Sequence, residues 1–351
     1  MSPKLIKKNK SNNMEDGSMV GKNLSKKLVS LGLILTLSLG LFSGCKNQES
    51  KSEDQKIKIG ISQIVEHDAL DMAREGFLKE LSNRGYTKDK IDVDLQIAQG
   101  DMALTSTIAN NFISDKKDLI LAISTPSAQS VKNATKDIPI LFTAVTDPIS
   151  SNLLKNSNEP EENITGTTDM VDIKKNLILG KTLIKDSKNV GFVYNTSEVN
   201  TKKQLDMALE LSKELDLNII KIPITNTSEV QMAVSSKIDE VDFIFLPSDN
   251  MVASSLPIIA KTASKKNIAL IGCDEPMIQK GALACFGIDY FELGKQTGTM
   301  AADILDGKEI SKLPVSSLDK PTLIINEDVL KELNLSPEKE LLDQAKLISS
   351  K

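Results

Sequence analysis

The sequence has few of the residues that catalytic and metal-binding sites usually need. It contains one histidine, no tryptophan and three cysteines, and aromatic residues make up 3% of its 351 positions. The single imidazole, His67, leaves no second histidine for a metal site, and the cysteines show no metal-ligand spacing. The nucleotide motifs G-x-x-x-x-G-K-[ST] and G-x-G-x-x-G and the hydrolase motif G-x-S-x-G are also absent. We therefore expect neither a metal nor a cofactor.

No apolar run reaches the roughly 20 residues that a membrane-spanning helix needs. The run at residues 28–42 follows two lysines and precedes a small-residue site at Cys45. A basic start, a short apolar run and small residues before a cleavage site are typical of a secretion signal. Residues 26–45 therefore predict that the mature protein works outside the cytoplasm.

The pentapeptide LFSGC at residues 41–45 resembles a bacterial lipobox, in which the cysteine is lipidated and becomes the new N-terminus. The resemblance implies removal of residues 1–44 and a lipid on Cys45, followed by a flexible polar tether to residue 56. The protein would then lie on the outer face of the cell membrane, held by its lipid. An uncleaved anchor or a cut elsewhere would lose the lipid, and Met14 or Met19 is an alternative start.

Negative charge outweighs positive charge once the signal is removed. The full chain carries 43 basic and 48 acidic residues, a net charge of −5. Residues 1–44 hold seven lysines and two acids, a net of +5, so the mature chain carries −5 − 5 = −10. An acidic chain is a poor partner for nucleic acid, and we expect none.

The part of the chain that follows the tether is long enough for two domains. Short apolar runs alternate with helical patterns in both halves, which predicts an α/β fold of two Rossmann-like lobes with parallel sheets, joined by a hinge. The first lobe is predicted to take residues 57–165 and 289–315, and the second 166–288 and 316–351. Cys273 and Cys285 lie in apolar runs and predict two buried thiols.

Polar residues follow the predicted strands, at the edge where open parallel sheets form a ligand crevice. Residues 124–127, STPS, place hydroxyls at a predicted helix start, whose free N–H groups favour an anion such as a ligand carboxylate. Asp147, Asp249 and Glu275 follow other strands and are candidate acceptors for an ammonium group. Each residue taken singly also fits an ordinary cap or turn, so the prediction rests on their joint placement around one cleft.

An ordered set of segments runs from about residue 56 to residue 334. It includes IVEHDALDMAREGF, ISTPSAQSVKNATKDIPILFTAVTDP, NITGTTDM, LPSDNMVASS and GALACFGIDYFELGKQTG. This set resembles the ABC-transporter solute-binding lipoproteins of the tryptophan/aromatic amino-acid type, which have the periplasmic-binding-protein type I fold. The resemblance implies ligand contacts from Glu66, His67, Ser124, Thr125, Thr143, Asp147, Asn195, Asp249, Asn250 and Glu275.

The residue pattern and the resemblance predict a monomeric receptor whose two lobes close over a small solute and present it to a membrane permease and its ATPase. We expect a hydrophobic or aromatic amino acid such as tryptophan or phenylalanine, bound without making or breaking a bond. Scarce aromatic rings disfavour a sugar. The alternatives are a receptor for a nucleoside or other small metabolite, a sensor or adhesion module, and a surface-anchored hydrolase using Asp249 and Glu275.

Overall fold

The structure is a computed structural model that describes residues 56–160, 163–318 and 320–350. The predicted signal, the lipidation site Cys45 and the tether up to residue 55 lie outside the described residues. Among the described helices, none has both the length and the apolar character to span a bilayer.

The first half alternates strands and helices as its hydrophobic pattern predicts. Its elements are β1 (Ile57–Gln63), α1 (Asp68–Asn83), β2 (Ile91–Ile97), α2 (Met102–Ser114), β3 (Leu119–Ile123), α3 (Thr125–Ala134), β4 (Ile140–Val145) and β5 (Ile164–Thr168). Helix α1 shows the cause, because Leu70, Ala73, Phe77 and Leu81 form one buried stripe at helical spacing. Gly85 has a φ of +90° just beyond the helix, a conformation that suits glycine at a helix end.

The second half repeats the alternation. Its elements up to residue 271 are α4 (Ile173–Leu183), β6 (Asn189–Asn195), α5 (Val199–Glu214), β7 (Asn218–Ile224), α6 (Val230–Lys237), β8 (Phe243–Phe245), α7 (Asn250–Ser254), α8 (Leu256–Ser264) and β9 (Ala269–Ile271). The remaining elements are α9 (Glu275–Gln279), β10 (Ala284–Gly287), α10 (Tyr290–Leu305), β11 (Ser316–Ser317), β12 (Thr322–Asn326), α11 (Glu327–Glu332), α12 (Lys339–Gln344) and β13 (Lys346–Ile348).

The strands form two sheets, and each sheet defines a lobe. Lobe I has the strand order β11-β5-β4-β3-β1-β2, and lobe II has the order β13-β12-β10-β9-β8-β6-β7. The described strand pairs are parallel except for β10 with β12. The predicted α/β class with two parallel-sheet lobes is confirmed. Parallel order also brings the carboxyl ends of neighbouring strands to the same edge of each sheet.

The chain passes between the lobes at several points, which together form the hinge. It leaves lobe I after β5, returns from β10 to α10, and leaves again from β11 to β12. Each lobe has its own core, with Phe77 and Phe142 fully buried in lobe I and Phe192 and Phe243 in lobe II. Separate cores are what two lobes of one chain need in order to move as separate bodies.

The predicted pair of thiols is confirmed, because Cys273 and Cys285 are both buried and free. They lie in the apolar core of lobe II. Burial raises the pKa of each thiol well above its usual value, since a thiolate would lose its hydration there. Both cysteines therefore act as small apolar core residues.

Helix α10 is fixed to lobe I by close contact with α1. An added Cβ on Gly76 would lie 2.0 Å from the backbone oxygen of Phe291, and one on Gly294 would lie 2.0 Å from that of Ala73. Only glycine permits this approach at either position. The contact anchors a helix that follows most of lobe II in sequence to the lobe formed by the first half of the chain.

Candidate functional site

Strand ends of both sheets meet at a cavity between the lobes. Its volume is about 20 Å³ in this arrangement. Lobe I and the hinge contribute His67, Leu70, Ser124, Ala144, Thr146, Asp169 and Tyr290, and lobe II contributes Asn200, Ser248, Asp249, Asn250, Ala253, Asp274 and Met277. The cavity therefore combines a small apolar part with many converging polar groups, which is typical of a small-molecule site.

Two residues that line the cavity have unusual backbone conformations. Ser124 directly follows β3 and has φ +79° and ψ 156°, and Ala144 near the end of β4 has φ +54°. The register of β4 against β5 also shifts between Phe142 and Val145. Positive φ is unfavourable for residues with a Cβ, and such strain concentrates at functional sites.

The N-terminus of α3 presents unpaired hydroxyl groups. Helix α3 is ten residues long and begins at Thr125, with Pro126 in its first turn. The Thr125 and Ser127 hydroxyls are buried and have no hydrogen-bond partner in the described residues. The Ser124 hydroxyl does not cap the helix, and it accepts a hydrogen bond from Asn250 instead. Free N–H groups and hydroxyls at the positive end of a helix favour an anion.

Four buried carboxyl groups lie at the cavity or beside it. Asp169, Glu198, Asp249 and Asp274 are each less than 5% exposed, and in the described residues none of them forms an ion pair. Burial raises the pKa of all four, to about 7 for Glu198 and to about 6 for Asp274. The neighbouring Asp249 carboxylate contributes further to the shift at Glu198. This concentration of negative charge favours a cationic group.

The Asn250 side chain crosses from lobe II to lobe I. Its Nδ2 donates to Ser124 Oγ at 2.9 Å and to Glu198 Oε2 at 2.6 Å, and its Oδ1 lies 3.5 Å from His67 Nε2. Burial lowers the pKa of His67 to about 4, so the imidazole is neutral at physiological pH. At the rim, Lys280 of lobe II pairs with Asp68 of lobe I at 2.9 Å.

Seven of the ten predicted site residues lie at the cavity or directly behind it. His67, Ser124, Asp249 and Asn250 line it. Thr125, Thr143 and Asn195 are buried behind it. Their contact with a ligand stays a prediction, but the structure brings these residues together from both halves of the chain.

The other three predicted residues lie elsewhere. Glu66 is exposed beside His67. Asp147 caps a turn by accepting from the backbone N–H groups of Ile149 and Ser150. Glu275 pairs with Lys346 at 2.6 Å. Asp249 and Glu275, the carboxylates weighed for a hydrolase, therefore do not share the cavity.

The ten predicted ligand contacts leave out six other polar residues that line the cavity: Thr146, Asp169, Asn200, Ser248, Asp274 and Tyr290. Most of these follow strand ends, as the rule that singled out Asp249 requires. Asp169, for example, comes directly after β5. Tyr290 opens α10 and donates its hydroxyl to Asp169 at 2.6 Å, a contact across 121 positions that no local pattern indicates.

A larger groove of about 520 Å³ lies on the outer face of lobe II, beside α4 and the C-terminal segment. Its charged residues include Lys185, Glu338 and Glu340, and all three are exposed. Charges that remain in water contribute little specificity. The cavity between the lobes, with its buried and unpaired polar groups, is therefore the better candidate site.

Comparison with known proteins identifies the family of the protein and, with it, the kind of site. The sequence model of the ABC transporter substrate-binding protein family matches residues 58–348. The chain belongs to this family. The predicted class of function, an ABC-type substrate-binding protein, is confirmed by this match.

The relatives agree with the family assignment. A protein of Clostridioides difficile strain R20291 named tyrosine-binding protein is 45% identical over 336 residues, which cover 93% of this chain and 97% of that protein. The structure of an ABC domain from Streptococcus pneumonia in complex with L-Trp is 30% identical, with a TM-score of 0.81, covering 83% of this chain and 99% of that one. The predicted periplasmic-binding-protein type I fold is confirmed by such neighbours.

A third structure has a more similar sequence but superposes less well. The ligand-free, open structure of a substrate-binding protein with adhesive properties from Clostridium difficile is 45% identical and covers 84% of this chain and 99% of that one, yet its TM-score is only 0.64. The less similar sequence of the L-Trp complex superposes better, at 0.81. The structure described here therefore superposes more closely on the L-Trp complex than on the ligand-free, open structure.

Proposed function

We propose that this protein is the extracytoplasmic receptor of an ABC importer and binds an aromatic amino acid, with tyrosine, tryptophan and phenylalanine as the candidates. One observation carries the proposal: the cavity has an anion-favouring helix end on lobe I together with uncompensated buried carboxyl groups. These are the counterparts of an α-carboxylate and an α-ammonium group. The names of the relatives, a tyrosine-binding protein and an L-Trp complex, support the same ligand class.

The ligand carboxylate is assigned to the start of α3. The Thr125 hydroxyl is buried and unpaired, so a bound anion would supply the partner that it lacks. The Ser124 hydroxyl already accepts from Asn250 and can donate its own proton to a carboxylate oxygen. The helix N-terminus adds backbone N–H groups and the positive end of the dipole.

The ligand ammonium group is assigned to the hinge side of the cavity. Asp169 Oδ2 accepts from Tyr290, while Asp169 Oδ1 is buried with no partner in the described residues. Asp249 has both oxygens engaged, by the backbone of Asn195 and Val252 and by the Thr201 hydroxyl, so it contributes its charge rather than a free acceptor. Asp169 is therefore the direct acceptor, and Asp249 strengthens the local negative potential.

The ligand side chain is assigned to the apolar part of the cavity, which Leu70, Ala144, Ala253 and Met277 line. A cavity of about 20 Å³ holds about one water molecule, which is far less than an aromatic amino acid. Ligand entry therefore requires the lobes to separate, which breaks the bond from Asn250 to Ser124. Reclosure around the ligand then buries its ring.

Delivery to a permease and attachment through a lipid on Cys45 complete the proposed role. Two closing lobes convert ligand binding into a shape that a membrane partner can recognise, and no bond is made or broken. The lipid would keep the receptor close to the permease. Since one acyl chain binds a membrane only marginally, the multiple acyl groups of such lipoproteins matter for this attachment.

The test is a binding survey on the chain from residue 46 onward, freed of ligand by unfolding and refolding. Isothermal titration with tyrosine, tryptophan, phenylalanine, a nucleoside and a simple sugar should give saturable binding to at least one aromatic amino acid. The melting midpoint should rise with the same ligand, because a ligand that binds only the folded state stabilises it. Binding of a nucleoside or sugar with no response to amino acids would overturn the proposed ligand class.

Two substitutions at Ser124 test the carboxylate assignment. Ser124→Ala removes the hydroxyl and keeps the strained φ of +79°, whereas Ser124→Gly removes the hydroxyl and relieves the strain. Both should weaken binding about tenfold or more, since a hydrogen bond to a charged group is lost. Without ligand, Ser124→Gly should have a higher melting midpoint than Ser124→Ala, because only the glycine relieves the strain. Unchanged affinity in both variants would remove Ser124 from the site.

A further inference from the structure

Glu198 lies beside the cavity but does not line it. It is the only buried glutamate among the described residues, at 3% exposure. Its two oxygens accept hydrogen bonds from three side-chain amides: Asn195 Nδ2 at 3.2 Å, Asn200 Nδ2 at 3.1 Å and Asn250 Nδ2 at 2.6 Å. Above about pH 7 the Glu198 carboxylate is ionised and can only accept, so the NH2 group of each of these amides faces Glu198.

The orientation of Asn200 matters most for the cavity. Its Nδ2 also donates to the backbone oxygen of Ser248 at 3.0 Å, so both donor hydrogens are used. Its Oδ1 is buried, has no partner in the described residues, and belongs to a side chain that lines the cavity. Asp169 Oδ1 is the other buried acceptor without a partner on the cavity lining. Two unsatisfied acceptors at one cavity predict a ligand that donates hydrogen bonds.

The Glu198 carboxylate orients the Asn250 side chain in the same way. Its backbone N–H donates to Glu198 Oε2 at 3.3 Å, in addition to the bond from Nδ2. Its Oδ1 is left to face His67 across the cleft. One carboxylate thus fixes the amide that joins the two lobes as well as the amide that lines the cavity.

We propose that Glu198 is a positioning residue for ligand specificity: it holds the asparagine NH2 groups toward itself, so that the carbonyl oxygen of Asn200 joins Asp169 in accepting a ligand ammonium group. The inference rests on the proposed function, because it assumes an amino-acid ligand. A glutamine at position 198 has one oxygen and one NH2 group, so it cannot accept from all three asparagines, of which Asn195 uses Oε1 and the other two share Oε2. With its NH2 group at the Oε2 position, the glutamine would oppose the NH2 groups of Asn200 and Asn250. Asn200 would then turn over and present donors to the cavity, where an ammonium group needs acceptors.

The test compares tyrosine with 3-(4-hydroxyphenyl)propionate, which has the same ring and carboxylate but no ammonium group. The measured quantity is the ratio of the two dissociation constants by isothermal titration. In Glu198→Gln, the preference for tyrosine should fall about tenfold or more, as expected for lost hydrogen bonds to a charged group, while affinity for the propionate changes less. Glu210→Gln on α5 makes the same charge change at an exposed position and should keep the wild-type ratio.

A melting curve shows whether Glu198→Gln folds, and a second variant tests the inference independently of that result. Asn200→Ala removes the oriented oxygen directly and should lose the tyrosine preference in the same way. Folded Glu198→Gln or Asn200→Ala protein that keeps the wild-type ratio would overturn the inference alone. Wild-type protein that binds no aromatic amino acid would instead overturn the proposed function and this inference with it.

Discussion

Buried carboxyl groups around the cavity should make ligand binding depend on pH. Burial raises the pKa of Glu198 to about 7 and that of Asp274 to about 6, and raises the pKa of Asp169 and Asp249 as well. A ligand ammonium group favours the ionised forms. We expect tyrosine affinity to fall between pH 8 and pH 5.5, by up to about tenfold per pH unit below the pKa of a required carboxylate. Isothermal titration at pH 5.5, 6.5 and 7.5 measures this.

The stability of the ligand-free protein should respond in the opposite direction. Glu198 binds its proton more tightly when folded than when unfolded, where its pKa is near 4.5, so its contribution to stability falls as pH rises from about 4.5 to 7. His67, with its pKa lowered from 6.5 to about 4, opposes this by adding stability as pH rises from 4 to 6.5. In Glu198→Gln, both the tyrosine affinity and the free energy of unfolding should change less with pH above pH 6.5. Affinity that rises as pH falls would contradict the cation assignment.

Single residues show which parts of the site a sequence can predict. Ser124, Asp249 and Asn250 directly follow predicted strands, and the crevice rule for parallel sheets found them. Glu275 satisfied the same rule but pairs with Lys346, because strand order alone does not say which way a loop side chain turns. The contact of Tyr290 with Asp169 was not predicted, because it depends on how α10 returns to lobe I.

At the scale of elements, the fit of α10 on α1 depends on two glycines. Gly294→Ala places a methyl group where the Ala73 backbone oxygen lies 2.0 Å away, so the helices must separate. Overpacking of a close contact costs about 3 kcal/mol, and more where the backbone has to move. We expect a clear loss in the free energy of unfolding, measured by urea denaturation, together with weaker ligand binding, since Tyr290 opens the same helix.

Lys295→Ala is the matched control for that substitution. Lys295 lies one position further along α10 and forms an exposed pair with Glu292 at 2.8 Å. Exposed pairs at this spacing contribute about 0.5 kcal/mol or less. A small effect of Lys295→Ala beside a large effect of Gly294→Ala would identify the helix contact as the cause. Similar effects of the two would refute it.

The alternation of strands and helices followed from the sequence. The apolar stripe on α1 and the alternation of strands with helices predicted two parallel sheets, because burial on both faces requires continuous apolar strands. The apolar runs around Cys273 and Cys285 likewise predicted buried thiols rather than a disulfide. What the pattern could not supply is the close approach of Gly76 and Gly294, since contact between distant helices depends on the tertiary fold rather than on local periodicity.

For the whole molecule, the side-chain hydrogen bonds and ion pairs that cross the cleft between described residues are few. Asn250 reaches Ser124 and His67, and Lys280 pairs with Asp68 at the rim. The Lys280 and Asp68 side chains are 34% and 48% exposed, so water screens this pair and its contribution is about 1 kcal/mol at most. Contacts of this strength cannot hold the lobes closed alone, and the ligand supplies the remaining interaction energy.

We therefore expect the ligand-free protein in solution to be more open than the arrangement described here, and small-angle X-ray scattering should show its radius of gyration falling when tyrosine is added. Lys280→Met should shift the equilibrium further toward the open form and weaken binding about fivefold or less, with faster ligand dissociation. Lys266→Met, which removes an exposed pair with Asp239 on the same lobe, should change neither quantity. If the radius of gyration is the same with and without ligand, the lobes close without it, and interlobe contacts rather than ligand binding would set the resting state.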